Sequence, residues 1–413
     1  MSLIVVDCFY QRKEIGYKLV QELAAIANLR SYSSIALEVN KENDSAYQFY
    51  VKLGFHKEED RGRKLLMVKV LVASSLNLNI EKSMNMEKQF IGGYLDWEFS
   101  IKTNPFPHEE GVLVNSGHGA LQLILQHIGT ITKVWIPYFT CNVVLDTLKR
   151  LRVKHEFYHI NYDLEVAELP QLKNNEYFIY TNYFGIMDRY VDFLVKIYGT
   201  QLIIDNAQAF FAYPHRKCHQ IYSPRKFVGV PDGGIALSPM GLDISYLQHS
   251  KSYDTCQHLL MRSEGFVLEG YDYFKKNDEN LGFGALAQMS TITQKILHSL
   301  DYETIISTRR YNYKYLNSHL QASNGLKELL CRRDIEESVC PMIYPFYTDD
   351  IYLRARLIKQ HIFVAQYWPN VLEWCTPNEI EYSLCQHIIP LPIDQRYDEE
   401  DMNRIVNTIF SKK

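Results

Sequence analysis

The sequence lacks the features that would send a chain across a membrane, out of the cell or onto nucleic acid. Its eight cysteines, Cys8, Cys141, Cys218, Cys256, Cys331, Cys340, Cys375 and Cys385, include no CxxC pair. That argues against zinc and for free thiols in a reducing compartment. No apolar run approaches a membrane span. The opening MSLIVVDCFYQRK has no basic segment ahead of its short apolar piece, so no signal peptide is read and a cytoplasmic chain is expected. With 44 Lys and Arg against 48 Asp and Glu, the formal charge of -4 leaves no electrostatic footprint for nucleic acid or anionic lipid. Helix-spaced histidines occur as His155 and His159, but KHEFYHI reads as a strand, so they are assigned structural roles. The 30 tyrosines carry no functional signature of their own.

What is present is ordinary globular material: 46% hydrophobic and 22% charged residues in a chain of 413, long enough for two or three domains. One stretch stands out. Leu202-Ile203-Ile204-Asp205 is an apolar strand-type run that stops on a carboxylate. Such a residue belongs at the carboxyl end of a buried parallel strand, where open α/β sheets bind ligands. About twenty residues on, Ser223-Pro224-Arg225-Lys226-Phe227 places a lysine in a rigid setting ahead of Gly233-Gly234. An acid followed at that distance by such a lysine is the pair that pyridoxal phosphate (PLP) needs. The lysine forms a Schiff base, and the acid keeps the pyridine nitrogen protonated so that the ring acts as an electron sink. Neither residue is informative alone; the combination is.

Around this pair the chain alternates strands and helices. Val112-Leu113-Val114 leads through Asn115-Ser116-Gly117-His118 into a helix striped by Leu121, Ile124, Leu125 and Ile128. Unsatisfied amides at such a helix start form an anion site. Val134-Trp135-Ile136 and a helix striped by Val144, Leu148 and Leu151 follow, then strands near 154–160, 176–181 and 201–204, with a helix around 190–198. This order predicts a mostly parallel sheet with right-handed crossovers. Further on, 309–320 reads as a helix, and an acidic run, Asp398 to Asp401, opens a last helix striped by Met402, Ile405, Val406 and Ile409.

The motifs NSGHGAL, IPYFTCN, NYFG, IIDNAQA and YSPRKFVGVPDGG, in that order, resemble the fold-type I PLP enzymes, and among them the DegT/DnrJ-type sugar aminotransferases. The resemblance implies a seven-stranded-type sheet in a PLP-binding large domain, residues 88–300, and a small α+β domain, residues 301–413. It also implies a homodimer. It makes Lys226 the Schiff-base lysine, pairs Asp205 with the ring nitrogen, and sets Gln208 against the ring hydroxyl. Gly117 and His118 would offer amides to the phosphate and Ser223 a hydroxyl, and Asn182 would line the same face. Since Cys141 stands near the usual stacking aromatic, Tyr138 or Phe139 would replace it. Residues 281–286 lack the Asn-x-Arg that reaches across the dimer in that family, and His118 stands where a small or hydroxylated residue is usual. A lysine serving as a base must be neutral, which burial would favour.

Residues 2–70 resemble the second half of a GNAT N-acetyltransferase, carried by Gln11-Arg12-Lys13-Glu14-Ile15-Gly16 and by FYVKLGF. In that family the loop cradles acetyl-CoA, and Tyr50 matches the usual general acid. Here Glu14 replaces the first glycine and the elements that normally precede the loop are missing, so a partial module is expected, joined through a linker at 71–87. The expected function is a PLP-dependent aminotransferase acting on a keto-sugar, nucleotide-linked, or a similar small carbonyl compound with an amino donor. The alternatives are an inactive PLP-fold binding or regulatory protein, and N-acetyl transfer by the N-terminal segment.

Overall fold

The computed structural model describes residues 34–53, 55–70, 93–100, 106–332 and 339–411. The loop Gln11–Gly16 and the linker at 71–87 lie outside these. Two compact units emerge, Met1–Glu98 with Lys102–Asn104, and Phe99–Ile101 with Pro105–Lys413. No helix of the described residues is long and apolar enough to cross a membrane.

In the first unit, β1 (Ser34–Asn40), β2 (His56–Arg61) and β3 (Lys64–Val70) form an antiparallel sheet in the order β1-β3-β2, with a helix at Asp44–Lys52. Val39, Phe55 and Met67 are its buried cluster.

The second unit holds the sheet on which the site is built: β4 (Val112–Val114), β5 (Lys133–Pro137), β6 (His155–Tyr158), β7 (Glu176–Thr181), β8 (Leu202–Asn206), β9 (His219–Tyr222) and β10 (Gly234–Leu237). Their spatial order is β4-β10-β9-β8-β7-β5-β6. Strands β6, β5, β7, β8 and β9 run parallel, and β10 is antiparallel to both β9 and β4. The central strand β8 is buried at all five positions, as a strand covered on both faces requires. Helices at Gly117–Ile128 and Asn142–Arg150 pack on the sheet with Leu121, Ile124, Leu145 and Leu148, which join Val134, Ile179 and Ile203 in one core.

The same unit continues into β11 (Ile343–Tyr347) and β12 (Ile388–Pro392), an antiparallel pair. A long helix, Tyr302–Leu320, and a closing helix, Glu399–Phe410, accompany it. The long helix begins seven residues before the expected 309 because Asp301 caps it, accepting from Thr304 N–H at 3.2 Å. The acidic start of the last helix is a capping box between Asp398 and Asp401.

The double glycine has a steric cause. Gly233 has φ +127°, and a Cβ on Gly234 would overlap the carbonyl of Ser116 and lie 2.7 Å from Gly117 N. Only glycine lets β10 run that close to the turn after β4. Because the obstruction is backbone, Gly234→Ala is expected to cost about 3 kcal/mol, read from the urea midpoint. Gly229→Ala, whose Cβ meets only Leu259 Cδ2 at 3.7 Å, should stay within about 0.5 kcal/mol. Equal losses at the two positions would overturn the steric account.

Candidate active site at the carboxyl ends of the parallel strands

Asp205 lies one residue before the end of β8, in register with Thr181 of β7 and Ile221 of β9. It is buried, and its Oδ1 accepts from Ala207 N–H at 2.9 Å, a local turn bond that holds the carboxylate at the strand end. Burial pushes this carboxyl up, while the Lys226 charge and the Ala207 N–H pull it down. Asp205 and Lys226 are therefore electrostatic neighbours.

Lys226 ends a short turn, Pro224–Lys226, that begins one residue after Ser223 and is closed by Phe227 and Val228 N–H groups on Pro224 O, each at 2.9 Å. Its side chain is exposed, with no hydrogen-bond or ion-pair partner among the described residues. This corrects the expectation that burial would favour the neutral lysine: the turn sits on the rim of the sheet, and its amine opens to solvent.

The turn after β4 meets this lysine. Ser116 caps the helix Gly117–Ile128 by accepting from Gly119 N–H at 3.0 Å, and the foremost helical amides have no intrahelical acceptor. A Cβ on Gly117 would stand 3.6 Å from that of Ser223, so the two loops pack against each other. His118 Nδ1 is buried without a partner. Burial first, and then the Lys226 charge, push its imidazole down to about 4, so it is neutral at pH 7.

Gln208 is buried. Its Oε1 accepts from Phe184 N–H at 3.0 Å, and its Nε2 has no acceptor. The turn Tyr183–Gly185 that supplies this N–H is tightly wound, with φ +57° at Phe184 and +70° at Gly185, where a Cβ would lie 2.9 Å from Gln208 O. Asn182 is committed to that turn: its Nδ2 donates to Asp188 Oδ1 (2.8 Å) and Asn206 Oδ1 (3.0 Å), and its backbone N–H donates to Asp205 O at 2.9 Å.

Tyr138 and Phe139 turn their rings into the protein. Tyr138 stacks on Phe157 and His159, with centroids at 4.6 Å in both cases; Phe139 is buried edge-on to Trp368 at 4.9 Å. From the same loop it is Cys141 that lies near the lysine and the acid. Burial pushes its thiol up, the Lys226 charge pulls it down and Asp205 raises it. The sequence reading noted this cysteine only as a departure. His159 takes the structural role expected of it, with Nδ1 3.2 Å from Glu381, a buried carboxylate that also accepts from Ile160 N–H at 2.6 Å.

What these residues leave unsatisfied decides whether they suit the cofactor named above. Gln208 Nε2 is a buried donor without an acceptor. The imidazole of His118 is neutral and unpartnered, and Ser223 Oγ makes no hydrogen bond among the described residues. With the helix N-terminus they make a donor-rich cup for a phosphate and a ring oxygen. Asp205, buried with a single N–H partner, suits a protonated ring nitrogen. The residues fit.

Comparison with known proteins agrees on the fold. The Acetyltransferase (GNAT) family model matches residues 1–55, and no curated protein matches the sequence. Among solved structures, a DegT DnrJ EryC1 StrS aminotransferase of Brucella abortus is 14% identical, covers 81% of this chain and 96% of its own, and has a TM-score of 0.50. DesV of S. venezuelae, solved with a ketimine intermediate, is 14% identical over 82% of this chain and 95% of its own, at 0.50. NtdA of Bacillus subtilis, solved with bound cofactor PMP, is 11% identical over 82% of this chain and 81% of its own, at 0.51. The fold of the second unit is thus that of the DegT/DnrJ-type sugar aminotransferases, as the order of its motifs implied.

Proposed function

We propose that the chain is a PLP-dependent aminotransferase that moves an amino group from a donor onto a keto-sugar, nucleotide-linked, or a similar small carbonyl compound. One observation carries this reading: a buried carboxylate at a strand end, Asp205, lies in the field of an exposed amine, Lys226, that has no partner among the described residues. The structural neighbours, two of them solved with a ketimine intermediate or PMP, support it. When bound, PLP supplies an electron sink for the carbanion formed at the carbon that gains or loses nitrogen.

The chain's own residues do the rest. Lys226 Nζ is the point of covalent attachment and, once displaced, gives and takes a proton at that carbon. Asp205 holds the proton of the ring nitrogen. Gln208 Nε2 donates to the ring oxygen; Gly117, His118 and Ser223 hold the phosphate. Asn182, Tyr138 and Phe139 shape the loops that bear these groups. In this reading residues 88–300 are the PLP-binding large domain, 301–413 the small domain and 71–87 a linker. A homodimer belongs to it, supported by the exposed apolar side chains Leu260, Phe266, Leu268, Tyr271 and Phe274 on and between the helices Gln257–Ser263 and Gly270–Phe283. A second reading, N-acetyl transfer from acetyl-CoA by the N-terminal unit, has the family match over residues 1–55 in its favour. Calorimetric titration with acetyl-CoA decides it, and absence of heat removes it.

The purified protein with added PLP should show a visible chromophore that borohydride bleaches. Lys226→Ala should lack it and lose transamination by about 10²–10⁴-fold or more. A wild type without a reducible chromophore would falsify the enzyme reading. Asp205→Asn should separate stability from function. Its carboxyl is raised in the folded state, so the wild type carries a burial penalty that is absent below the ordinary carboxyl range near 3.8 and grows as pH rises through the folded value. At pH 7 the cofactor-free variant should therefore be more stable by about 1 kcal/mol, with the gain vanishing near pH 3, and should be nearly inactive. A variant less stable at pH 7 would show that Asp205 is a structural residue. Phe266→Glu combined with Leu268→Glu should yield monomers in sedimentation; an unchanged dimer places the interface elsewhere.

A further inference from the structure

Behind the lysine turn lies a buried cation that the chemistry above does not use. Arg309, in the middle of the helix Tyr302–Leu320, is 2% exposed. Its guanidinium touches no carboxylate among the described residues. Nε donates to Gln395 Oε1 (3.0 Å), Nη1 to Met342 O (3.0 Å) and Nη2 to Phe227 O (3.1 Å), and Cζ lies 4.7 Å from the centre of the Phe227 ring. Gln395 Nε2 donates to the same Phe227 carbonyl at 2.9 Å. Asp394 supplies opposing charge at a distance while forming a two-point pair with Arg396, at 2.6 and 2.8 Å. Desolvating a cation to bond carbonyls is costly, and an apolar side chain would fill the volume more cheaply. What an apolar side chain cannot do is grip a carbonyl.

We propose that Arg309 and Gln395 are positioning residues that clamp the Phe227 carbonyl and thereby set the pose in which the preceding residue, Lys226, presents its amine. The residue after the lysine is held at both ends: its N–H closes the turn on Pro224 O at 2.9 Å, and its carbonyl accepts from both side chains of the clamp. Neither Arg309 nor Gln395 is placed against the substrate or cofactor; both act through the turn. Met342, the third anchor, donates its N–H to Phe184 O at 2.8 Å, so the clamp also reaches the turn that holds Gln208. Lys226 is exposed, so side-chain packing does not fix it and its backbone must.

This inference rests on the aminotransferase reading for its consequence but not for its geometry, and the test separates the two. In the full-length chain, Arg309→Met, Arg309→Lys and Gln395→Leu are compared by hydrogen exchange of the peptide containing Phe227 and Val228, without cofactor. The second readout is the rate at which added PLP becomes fixed as a borohydride-reducible chromophore. Exchange at those amides should accelerate about 10-fold in Arg309→Met and less in Gln395→Leu, with β8 peptides unchanged. Fixation should slow about 10- to 100-fold, the scale at which small misplacements act, and Arg309→Lys should fall between. If Arg309→Met does not unfold cooperatively, Gln395→Leu, which leaves the cation in place, decides. Unchanged exchange in folded variants overturns the clamp, and faster exchange with unchanged fixation reduces it to packing and overturns the positioning role. A wild type that fixes no PLP removes the aminotransferase reading while the exchange comparison still judges the clamp.

Discussion

The carbonyl of Ser116 occupies the space that a side chain at position 234 would need, and the site depends on that contact. Strand β10 follows the lysine turn in sequence, and β4 precedes the helix whose N-terminus forms the anion cup. When the two strands meet at glycine, groups more than 100 residues apart in the chain become neighbours: Gly117 against Ser223, and His118 in the field of Lys226. The parallel bridge between Ser116 and Gly233 is the last rung of that approach. The sheet thus brings the acid of β8, the amine before β10 and the amides after β4 to one rim.

That rim is polar, buried and incompletely satisfied, which is the opposite of what stability alone selects. Asp205 carries one N–H bond; His118 Nδ1, Gln208 Nε2 and Thr140 Oγ1 carry none. Each such group costs the fold free energy, so the rest of the sheet must supply a margin. The all-buried strand β8 and the core it shares with the helices packed on the sheet provide it. The one exposed member is the lysine. An amine on an open rim needs its cover from whatever docks there, and in the meantime relies on a turn closed by two backbone bonds and gripped from behind by Arg309.

Much of this was legible in the sequence, because the signals were local. The run Leu202 to Asp205, the Pro-bounded lysine and the double glycine each state a backbone requirement within a few residues. Strand β4 falls at the expected positions and β7 at 176–181. What was not legible depends on tertiary partners. Nothing local tells that Tyr138 will stack on Phe157 and His159, while Cys141 of the same loop lies in the field of the lysine. Nor could the arginine pair at 309 and 310 announce that one member is buried against carbonyls 82 and 33 residues away. The tyrosines find an explanation only in three dimensions. Tyr158, Tyr180, Tyr183 and Tyr198 each bury a ring and donate the hydroxyl to a carbonyl elsewhere, on Ile179, Leu164, Phe139 and Pro170, at 2.7–3.0 Å. They tie strand ends and loops to the core where an apolar ring would leave those carbonyls unpaired.

The N-terminal unit poses a different physical problem, since its sheet has two edges among the described residues. The outer edge of β2 is defended: all six of its side chains are exposed, its pairing slips between Lys57 and Glu59, and Lys41, Lys57 and Arg61 pair with Asp60 and Glu59. Charge and a bulge are standard protections against adding another strand. Strand β1 alternates Leu37 and Val39 toward the small cluster of Val39, Phe55 and Met67, and pairs on one side only among the described residues. Leu37, Ala46, Tyr47, Tyr50 and Leu53 pack around those three as partly buried neighbours. Of the sheet's two edges, then, β2 is shielded by charge and a bulge, whereas β1 carries no comparable run of ion pairs among the described residues.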